Sequence, residues 1–187
     1  MTPSPLVIAT DGACKRNPGP TGWAWVTADG RWESGSLRDG TNNIGELLAL
    51  LNALDRFADV PLITAEIDSA YVIGAYGSWL DGWARRGWTT AAGEPVANVG
   101  IMKQLREVRD ARRAKGLPDV TLVKVKGHTG HVLNAHADLL AVAASERGAL
   151  GIESEQGTDY GDRAVDTTGL PPGATIRAPK RKYPRRR

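Results

Sequence analysis

The sequence predicts an α/β fold in which a mixed five-stranded sheet, beginning with three antiparallel strands, is flanked by helices. Three observations support this prediction. Short apolar and β-branched stretches come first, apolar residues at helical spacing follow from residue 43, and helices and strands then alternate to about residue 147. With 187 residues, the chain is long enough for one sizeable core and too short for two full domains.

The first strands are recognised by their turns. Leu6–Thr10 is an apolar run that ends at Asp11-Gly12. Trp23–Ala28 and Arg31–Leu37 flank Asp29-Gly30, a dipeptide that favours a tight hairpin turn. These three segments predict the antiparallel start of the sheet.

The later elements follow from a change of period. Leucines at helical spacing between Asn43 and Pro61 predict a helix with Glu46 in its first turn, and Leu62–Ile67 predicts a strand that ends at Asp68. The remaining predicted elements are a short helix over Ala70–Trp79 cut by Gly74 and Gly77, a helix over Asn98–Lys115, a strand over Val120–Val125, and a helix over Leu133–Glu146 that carries Asp138.

Charge divides the chain into a folded part and a tail. Residues 1–150 hold 16 basic and 16 acidic side chains, whereas residues 151–170 hold five acids and one base, and residues 171–187 hold seven bases and no acid. The tail is also poor in apolar residues. We therefore expect one domain over 1–148 and a largely disordered tail over 149–187, first acidic and then basic.

Composition also limits the compartment. Cys14 is the single cysteine, so no internal disulfide is possible and a reducing compartment is the simpler expectation. The first residues lack the pattern of a secretory signal, and no apolar stretch is long enough to span a membrane. We expect a soluble cytoplasmic protein, monomeric and without an obligate protein partner.

Four acids are candidates for one metal site. Asp11 and Asp68 end predicted strands, Glu46 begins a helix, and Asp138 lies in an alanine-rich helix where it faces a buried seam. Taken singly, each acid is also compatible with an ordinary solvated side chain. Taken together, four clustered carboxylates repel each other unless cations bind between them, and an oxygen-only site suits Mg²⁺ or Mn²⁺.

A series of motifs then resembles the successive signatures of type 1 ribonuclease H, in order and at compatible spacing between about residues 6 and 147. The motifs are Thr10-Asp11-Gly12-Ala13-Cys14, Asn17-Pro18-Gly19-Pro20, Thr41-Asn42-Asn43 with Glu46, Asp68-Ser69 with Tyr71-Val72, and Val125-Lys126-Gly127-His128-Thr129-Gly130-His131 with Asn134 and Asp138. The whole series is far more specific than any single motif.

The resemblance implies a ribonuclease H-like fold, with residues 1–148 as the catalytic domain, and hydrolysis of the RNA strand of an RNA–DNA hybrid. It implies that Asp11, Glu46, Asp68 and Asp138 hold two Mg²⁺ ions, for which Mn²⁺ substitutes, and that the products carry 3′-hydroxyl and 5′-phosphate ends. His128 is similar to the family's mobile catalytic histidine, which assists proton transfer or product departure.

The resemblance also names residues for substrate contact. Asn17, Asn43 and Glu46 are expected near the RNA strand, whose 2′-hydroxyl distinguishes it from DNA. The other expected contacts are Thr41 and Asn42 in a phosphate pocket, Arg85, Arg86 and Trp88 on a basic protrusion, and Asn134. Among the nearby tryptophans, we expect Trp79 and Trp83 to pack in the core and Trp88 to face the DNA.

Two other functions stay open at this stage. A module that binds hybrid or double-stranded RNA without cutting it would show no cleavage with Mg²⁺ or Mn²⁺, and retention of all four acids argues against it. Another nuclease or a transposase on the same sheet would cut plain duplex DNA. The basic tail is either a tethered arm for nucleic acid or a terminus that only aids solubility.

Overall fold

Six strands form one mixed sheet within the computed structural model, which describes residues 4–127, 131–148, 150 and 154–157. From edge to edge the order is β5-β4-β1-β2-β3-β6. The bounds are β1 Leu6–Cys14, β2 Gly19–Thr27, β3 Trp32–Gly40, β4 Ile63–Ile67, β5 Thr121–Lys124 and β6 Ser154–Gly157. β1, β2 and β3 are antiparallel, whereas β4 and β5 run parallel to β1. The predicted α/β fold is confirmed.

Helices cover both faces of the sheet. They are α1 Asn42–Arg56, α2 Ala70–Gly74, α3 Leu80–Arg85, α4 Val99–Ala114 and α5 Val132–Gly148. The larger core cluster lies between the sheet and helices α1 and α4, and the smaller cluster lies under α5, which packs on β1, β2 and β3. None of the helices in the described residues is long and apolar enough to cross a membrane.

Local signals position the hairpin and helix α1 as predicted. The backbone N–H of Thr27 donates to the carbonyl of Arg31 across the β2–β3 turn, where Gly30 has a φ of 93°. Helix α1 begins after Thr41, whose hydroxyl accepts a hydrogen bond from the backbone N–H of Ile44 at 3.2 Å. Leu47, Leu50 and Leu54 of this helix are fully buried.

The predicted break at Gly74 and Gly77 is wrong, because the chain stays helical from Ala70 to Arg85. A π-helical turn over Ala75–Trp79 joins α2 to α3. Its wider pitch is shown by the backbone N–H of Leu80, which donates to the carbonyl five residues earlier, at Ala75. The glycines are accommodated by a change of helical pitch.

The sixth strand was not predicted. Ser154–Gly157 pairs antiparallel with β3, from Trp32 opposite Gly157 to Gly35 opposite Ser154. The composition of this segment predicts that it belongs to the disordered tail, but backbone pairing at a sheet edge does not need apolar side chains. The folded part therefore extends beyond residue 148. The rest of the tail prediction falls on residues 149, 151–153 and 158–187, which lie outside the described residues.

Candidate active site

Three of the four predicted acids meet at the centre of the sheet. Asp11 lies in β1, Glu46 at the start of the second turn of α1, and Asp68 directly after β4. One carboxylate oxygen from each residue lies within 4.8 Å of the other two. Because β1 and β4 are parallel neighbours with Thr10 opposite Ile67, the next residue on each strand, Asp11 and Asp68, comes side by side.

Two glycines let α1 approach the sheet closely enough to bring Glu46 to Asp11. A Cβ atom at Gly12 would lie 2.2 Å from the backbone nitrogen of Glu46, and one at Gly45 would lie 2.7 Å from the carbonyl oxygen of Gly22. Glycine at position 45 costs helix propensity, but a larger residue would push the helix away from the strands. The sequence feature that indicates this close approach is Gly45, which directly precedes the candidate ligand Glu46.

Asp138 completes the acidic cluster from the other face of the sheet. It lies on α5 and is half-buried. Its negative charge raises the pKa of both Asp11 and Glu46, which places it within electrostatic range of the other acids. Asp138 is therefore near enough to affect Asp11 and Glu46, but it does not belong to the tight group of three.

Burial and mutual repulsion disfavour full ionisation of this cluster. Burial, followed by the charges of Glu46, Asp68 and Asp138, raises the pKa of Asp11 well above its ordinary value. Burial and the charge of Asp68 raise the pKa of Glu46 to about 8, against the opposing effects of a hydrogen bond with Asp11 and the charge of Lys124. With a pKa of about 8, Glu46 keeps its proton at neutral pH in the absence of a bound cation.

The arrangement fits a hard divalent cation. Glu46 Oε2 and Asp68 Oδ1 are buried and have no hydrogen-bond partner among the described residues. Buried polar atoms without partners are rare in folded proteins, and a bound ion is one explanation. The cluster offers carboxylate oxygens, the ligands that Mg²⁺ and Mn²⁺ prefer. Asp11, Glu46 and Asp68, with Asp138 beside them, are the residues that could hold such ions.

The structure adds Lys124 and Gly127, which the sequence analysis missed. The Lys124 ammonium donates a hydrogen bond to the backbone carbonyl of Asp68, and its charge lowers the pKa of Glu46. A Cβ atom at Gly127 would lie 2.6 Å from Asp68 Oδ2, so the loop after β5 passes directly against this carboxylate. The register of β4 and β5, with Ile67 opposite Lys124, was the signal that could have identified the lysine.

Comparison with known proteins agrees with this geometry. The RNase H family model matches residues 3–146, which is most of the chain. The protein belongs to the RNase H family. Its predicted resemblance to type 1 ribonuclease H is confirmed by curated bacterial relatives such as Ribonuclease HI of Streptomyces coelicolor, which is 45% identical over 145 residues, covering 74% of this chain and 61% of that protein.

A second curated relative and a solved structure also match this chain. Ribonuclease H of Tropheryma whipplei strain Twist is 38% identical over 147 residues, covering 78% of this chain and 87% of that protein. Among solved structures, a foamy viral protease-reverse transcriptase in complex with an RNA/DNA hybrid superposes with a TM-score of 0.64 at 20% identity, over 75% of this chain and 20% of that one. At this identity the likeness shows the fold alone.

Several residues that the RNase H resemblance predicts to contact substrate lie close together at the start of α1. Asn17 is exposed on the β1–β2 loop, and its Oδ1 accepts a hydrogen bond from the backbone N–H of Asn42 at 3.3 Å. Asn42 and Asn43 are exposed in the first turn, beside the capping residue Thr41. Glu46 follows one turn later. Helix α1 therefore carries both the polar residues Asn42 and Asn43 and one member of the acidic cluster, Glu46.

On the predicted protrusion of this RNase H chain, Arg85 and Arg86 are exposed. Trp88 is half-buried against the core, and the Lys103 ammonium lies 5.8 Å from its ring centroid. The expectation that Trp79 packs in the core is wrong, because this side chain is 42% exposed. The π-helical turn, which sequence periodicity does not show, changes the direction in which Trp79 points.

Two predicted site residues remain: Asn134, which lies on α5, and His128, which precedes α5 in the sequence. Asn134 is only 3% exposed, and its Oδ1 has no hydrogen-bond partner in the described part of the chain. A role in substrate contact stays a prediction for this buried residue. His128 lies outside the described residues, so its predicted role also stays a prediction.

Proposed function

We propose that this chain is an endoribonuclease that hydrolyses the RNA strand of RNA–DNA hybrids and leaves 3′-hydroxyl and 5′-phosphate ends. The observation that carries the proposal is the convergence of Asp11, Glu46 and Asp68 within 4.8 Å in a chain of the RNase H family. The foamy viral protein that shares this fold was solved with an RNA/DNA hybrid, and the same substrate class is proposed for this chain.

The proposed cofactor is a pair of Mg²⁺ ions, for which Mn²⁺ substitutes. Asp11, Glu46, Asp68 and Asp138 would hold them, since these acids supply buried oxygens and two of those oxygens have no protein partner among the described residues. When bound, such ions activate an attacking water and stabilise the leaving oxygen of a phosphodiester. Glu46 would then lose the proton that it keeps without a cation.

The protein's own groups prepare this reaction. Lys124 holds the backbone of Asp68 at the end of β4, which limits the movement of that carboxylate. Gly127 lies directly against the Asp68 carboxylate. His128, the next residue in the sequence, is assigned to moving a proton near the site, as the family resemblance implies. Asp11 and Glu46 are each only 5% exposed, which limits the access of water to their carboxylates.

Substrate binding is assigned to two surfaces of the same molecule. Asn17, Asn42 and Asn43 present amide groups suited to the sugar and phosphate groups of the hybrid. Arg85 and Arg86 supply exposed cations for phosphates, and Trp79 and Trp88 supply aromatic rings. Thr41 and Asn134 complete the proposed substrate-binding set, whereas His128 is proposed as a catalytic residue. Cytoplasmic location and a monomeric state stay predictions.

A cleavage assay tests the proposal. A hybrid labelled on one strand at a time is incubated with the wild-type chain, Asp68→Asn and the control Asp119→Asn, with Mg²⁺, with Mn²⁺ or with chelator. Asp119 is an exposed acid paired with Arg113, away from the cluster. We expect RNA-strand cleavage only with metal, at least a hundredfold loss in Asp68→Asn, and wild-type activity in Asp119→Asn.

Each competing function has its own outcome in this assay. Binding of the hybrid without cleavage under either metal would favour the binding module, and cleavage of duplex DNA but not hybrid would favour another nuclease. Ligation of the products to a 3′-acceptor tests the 5′-phosphate end. An Asp68→Asn variant as active as wild type would refute the assigned site.

A further inference from the structure

The π-helical turn has a specific buried clamp, formed by Arg109 of α4. Arg109 is 5% exposed, and its Nη2 donates to Asp81 Oδ1 in the first turn of α3. Its Nη1 lies 3.5 Å from the backbone carbonyl oxygen of Tyr76, inside the turn. One guanidinium therefore connects the turn to the helix that follows it, so both are tied to α4.

A separate contact positions the ring of Trp79. A Cβ atom at Gly74 would lie 2.4 Å from Cζ2 of the Trp79 ring, so this ring packs directly on the backbone at Gly74. The ring centroid of Trp79 lies 6.2 Å from that of Tyr71 and 5.5 Å from that of Trp83. Trp79 nevertheless keeps 42% of its surface exposed. Its position depends on the turn and on this glycine.

Arg109 differs from an arginine in an ordinary surface ion pair because its guanidinium group is buried. Asp81 also faces Arg106, whose Nε lies 3.5 Å from the same Oδ1, but the Arg106 side chain is 40% exposed. Exposed pairs contribute little to stability, whereas buried guanidinium groups impose a fixed geometry on the groups they contact. Within this ion-pair group, Arg109 is the buried member.

We propose that Arg109 is a positioning residue for substrate binding, which acts by holding the π-helical turn so that Trp79 presents its exposed ring surface to nucleic acid. Gly74 also positions Trp79, because the absence of a side chain at this residue leaves space for the ring. The expected effect on substrate binding rests on the proposed function. The arrangement of Trp79 itself is independent of activity. π-Helical turns are frequent at functional sites, where they redirect side chains.

The test separates the position of Trp79 from hybrid binding. Chains labelled with 5-fluorotryptophan give one ¹⁹F signal for each of the six tryptophans, and the Trp79 signal is assigned by its loss in Trp79→Phe. Arg109→Met removes every donor while keeping an apolar side chain of similar length. Gly74→Ala displaces the ring while leaving Arg109 in place. Arg106→Gln is the matched control, because Arg106 also contacts Asp81 but is 40% exposed, whereas Arg109 is buried and contacts the Tyr76 carbonyl.

We expect Arg109→Met and Gly74→Ala to shift the Trp79 signal, to leave the signals of the buried Trp23 and Trp25 in place, and to raise KM for the hybrid about tenfold with kcat changed less than about twofold. Arg106→Gln should leave both readouts at wild-type values. If Arg109→Met does not fold, Asp81→Asn tests the same connection, because it removes the charge with which Arg109 pairs.

Two results would overturn the inference: an unchanged Trp79 signal in Arg109→Met, or equal effects of Arg109→Met and Arg106→Gln. A wild-type chain that does not bind or cut the hybrid would instead refute the proposed function. In that case the ¹⁹F measurement still reports whether Arg109 positions Trp79.

Discussion

Gly12 of β1 faces the backbone of α1 so closely that a Cβ atom there would lie 2.2 Å from the backbone nitrogen of Glu46. This contact sets the distance between two acids that come from different elements. It also means that the geometry of the acidic cluster depends on a residue without any functional group.

We therefore predict that Gly12→Ala forces α1 away from β1, lowers the free energy of unfolding by roughly 1–3 kcal/mol and weakens Mg²⁺ binding. Urea unfolding and calorimetric titration of Mg²⁺ measure the two effects. The matched control is Gly100→Ala in α4, where a Cβ atom would meet nothing within 4 Å. Normal Mg²⁺ affinity in a folded Gly12→Ala chain would show that the close approach does not control the site.

Stability of the metal-free chain should fall as pH rises. Glu46 has a pKa of about 8 in the folded chain and an ordinary value of 4.5. Between these values the folded chain keeps a proton that the unfolded chain has released, so the free energy of unfolding decreases with rising pH, by on the order of a few kcal/mol in total. Asp11, whose pKa is also raised, acts in the same direction.

Urea unfolding in chelator at pH values from 5 to 8 checks this prediction. Added Mg²⁺ should reverse the decrease, because the cation stabilises the ionised cluster. Asp68→Asn should show a weaker pH dependence, since it removes a charge that raises the pKa of Glu46. The prediction fails if the chelated wild-type chain gains stability over this range.

Arg112 should contribute more to stability than its neighbour Arg113. Arg112 is 2% exposed and donates to five backbone carbonyls, those of Phe57, Ala58, Val60, Pro61 and Pro118. These bonds connect the loop after α1 with the loop after α4. Arg112→Ala leaves buried carbonyls without donors, so we expect a loss of about 3 kcal/mol or more.

Arg113→Ala is the control for this prediction. Arg113 pairs with Asp119 at 2.8 Å, but both side chains are about half exposed, so we expect a change of at most about 1 kcal/mol. Guanidinium chloride unfolding of the two variants measures the difference. Equal losses would show that the carbonyl contacts of Arg112 do not stabilise the fold.

The basic tail should increase the salt dependence of hybrid binding. Residues 171–187 carry seven bases and no acid, whereas residues 1–150 are formally neutral. Deletion of residues 174–187 in the Asp68→Asn background should weaken binding at low salt and flatten the plot of log affinity against log salt concentration. Strand β6 is retained in this variant. A full-length tail with its bases replaced by glutamine should behave like the deletion, and an unchanged slope would favour the solubilising alternative.

Local patterns alone determined most of the architecture. The Asp29-Gly30 turn, the leucines of α1 and the strand ending at Asp68 are each specified by residues close in sequence, so they were predicted in the observed order. The four acids were also found from sequence, because strand ends and motif order identify them without coordinates.

Tertiary structure decided how side chains point and which distant groups meet. The exposure of Trp79 depends on a π-helical turn, the pairing of Ser154–Gly157 depends on a free edge at β3, and the contact of Lys124 with Asp68 depends on the register of two strands. A residue pattern records period and polarity but not helix pitch, edge availability or strand register. Those quantities are set by packing between elements that are far apart in the chain.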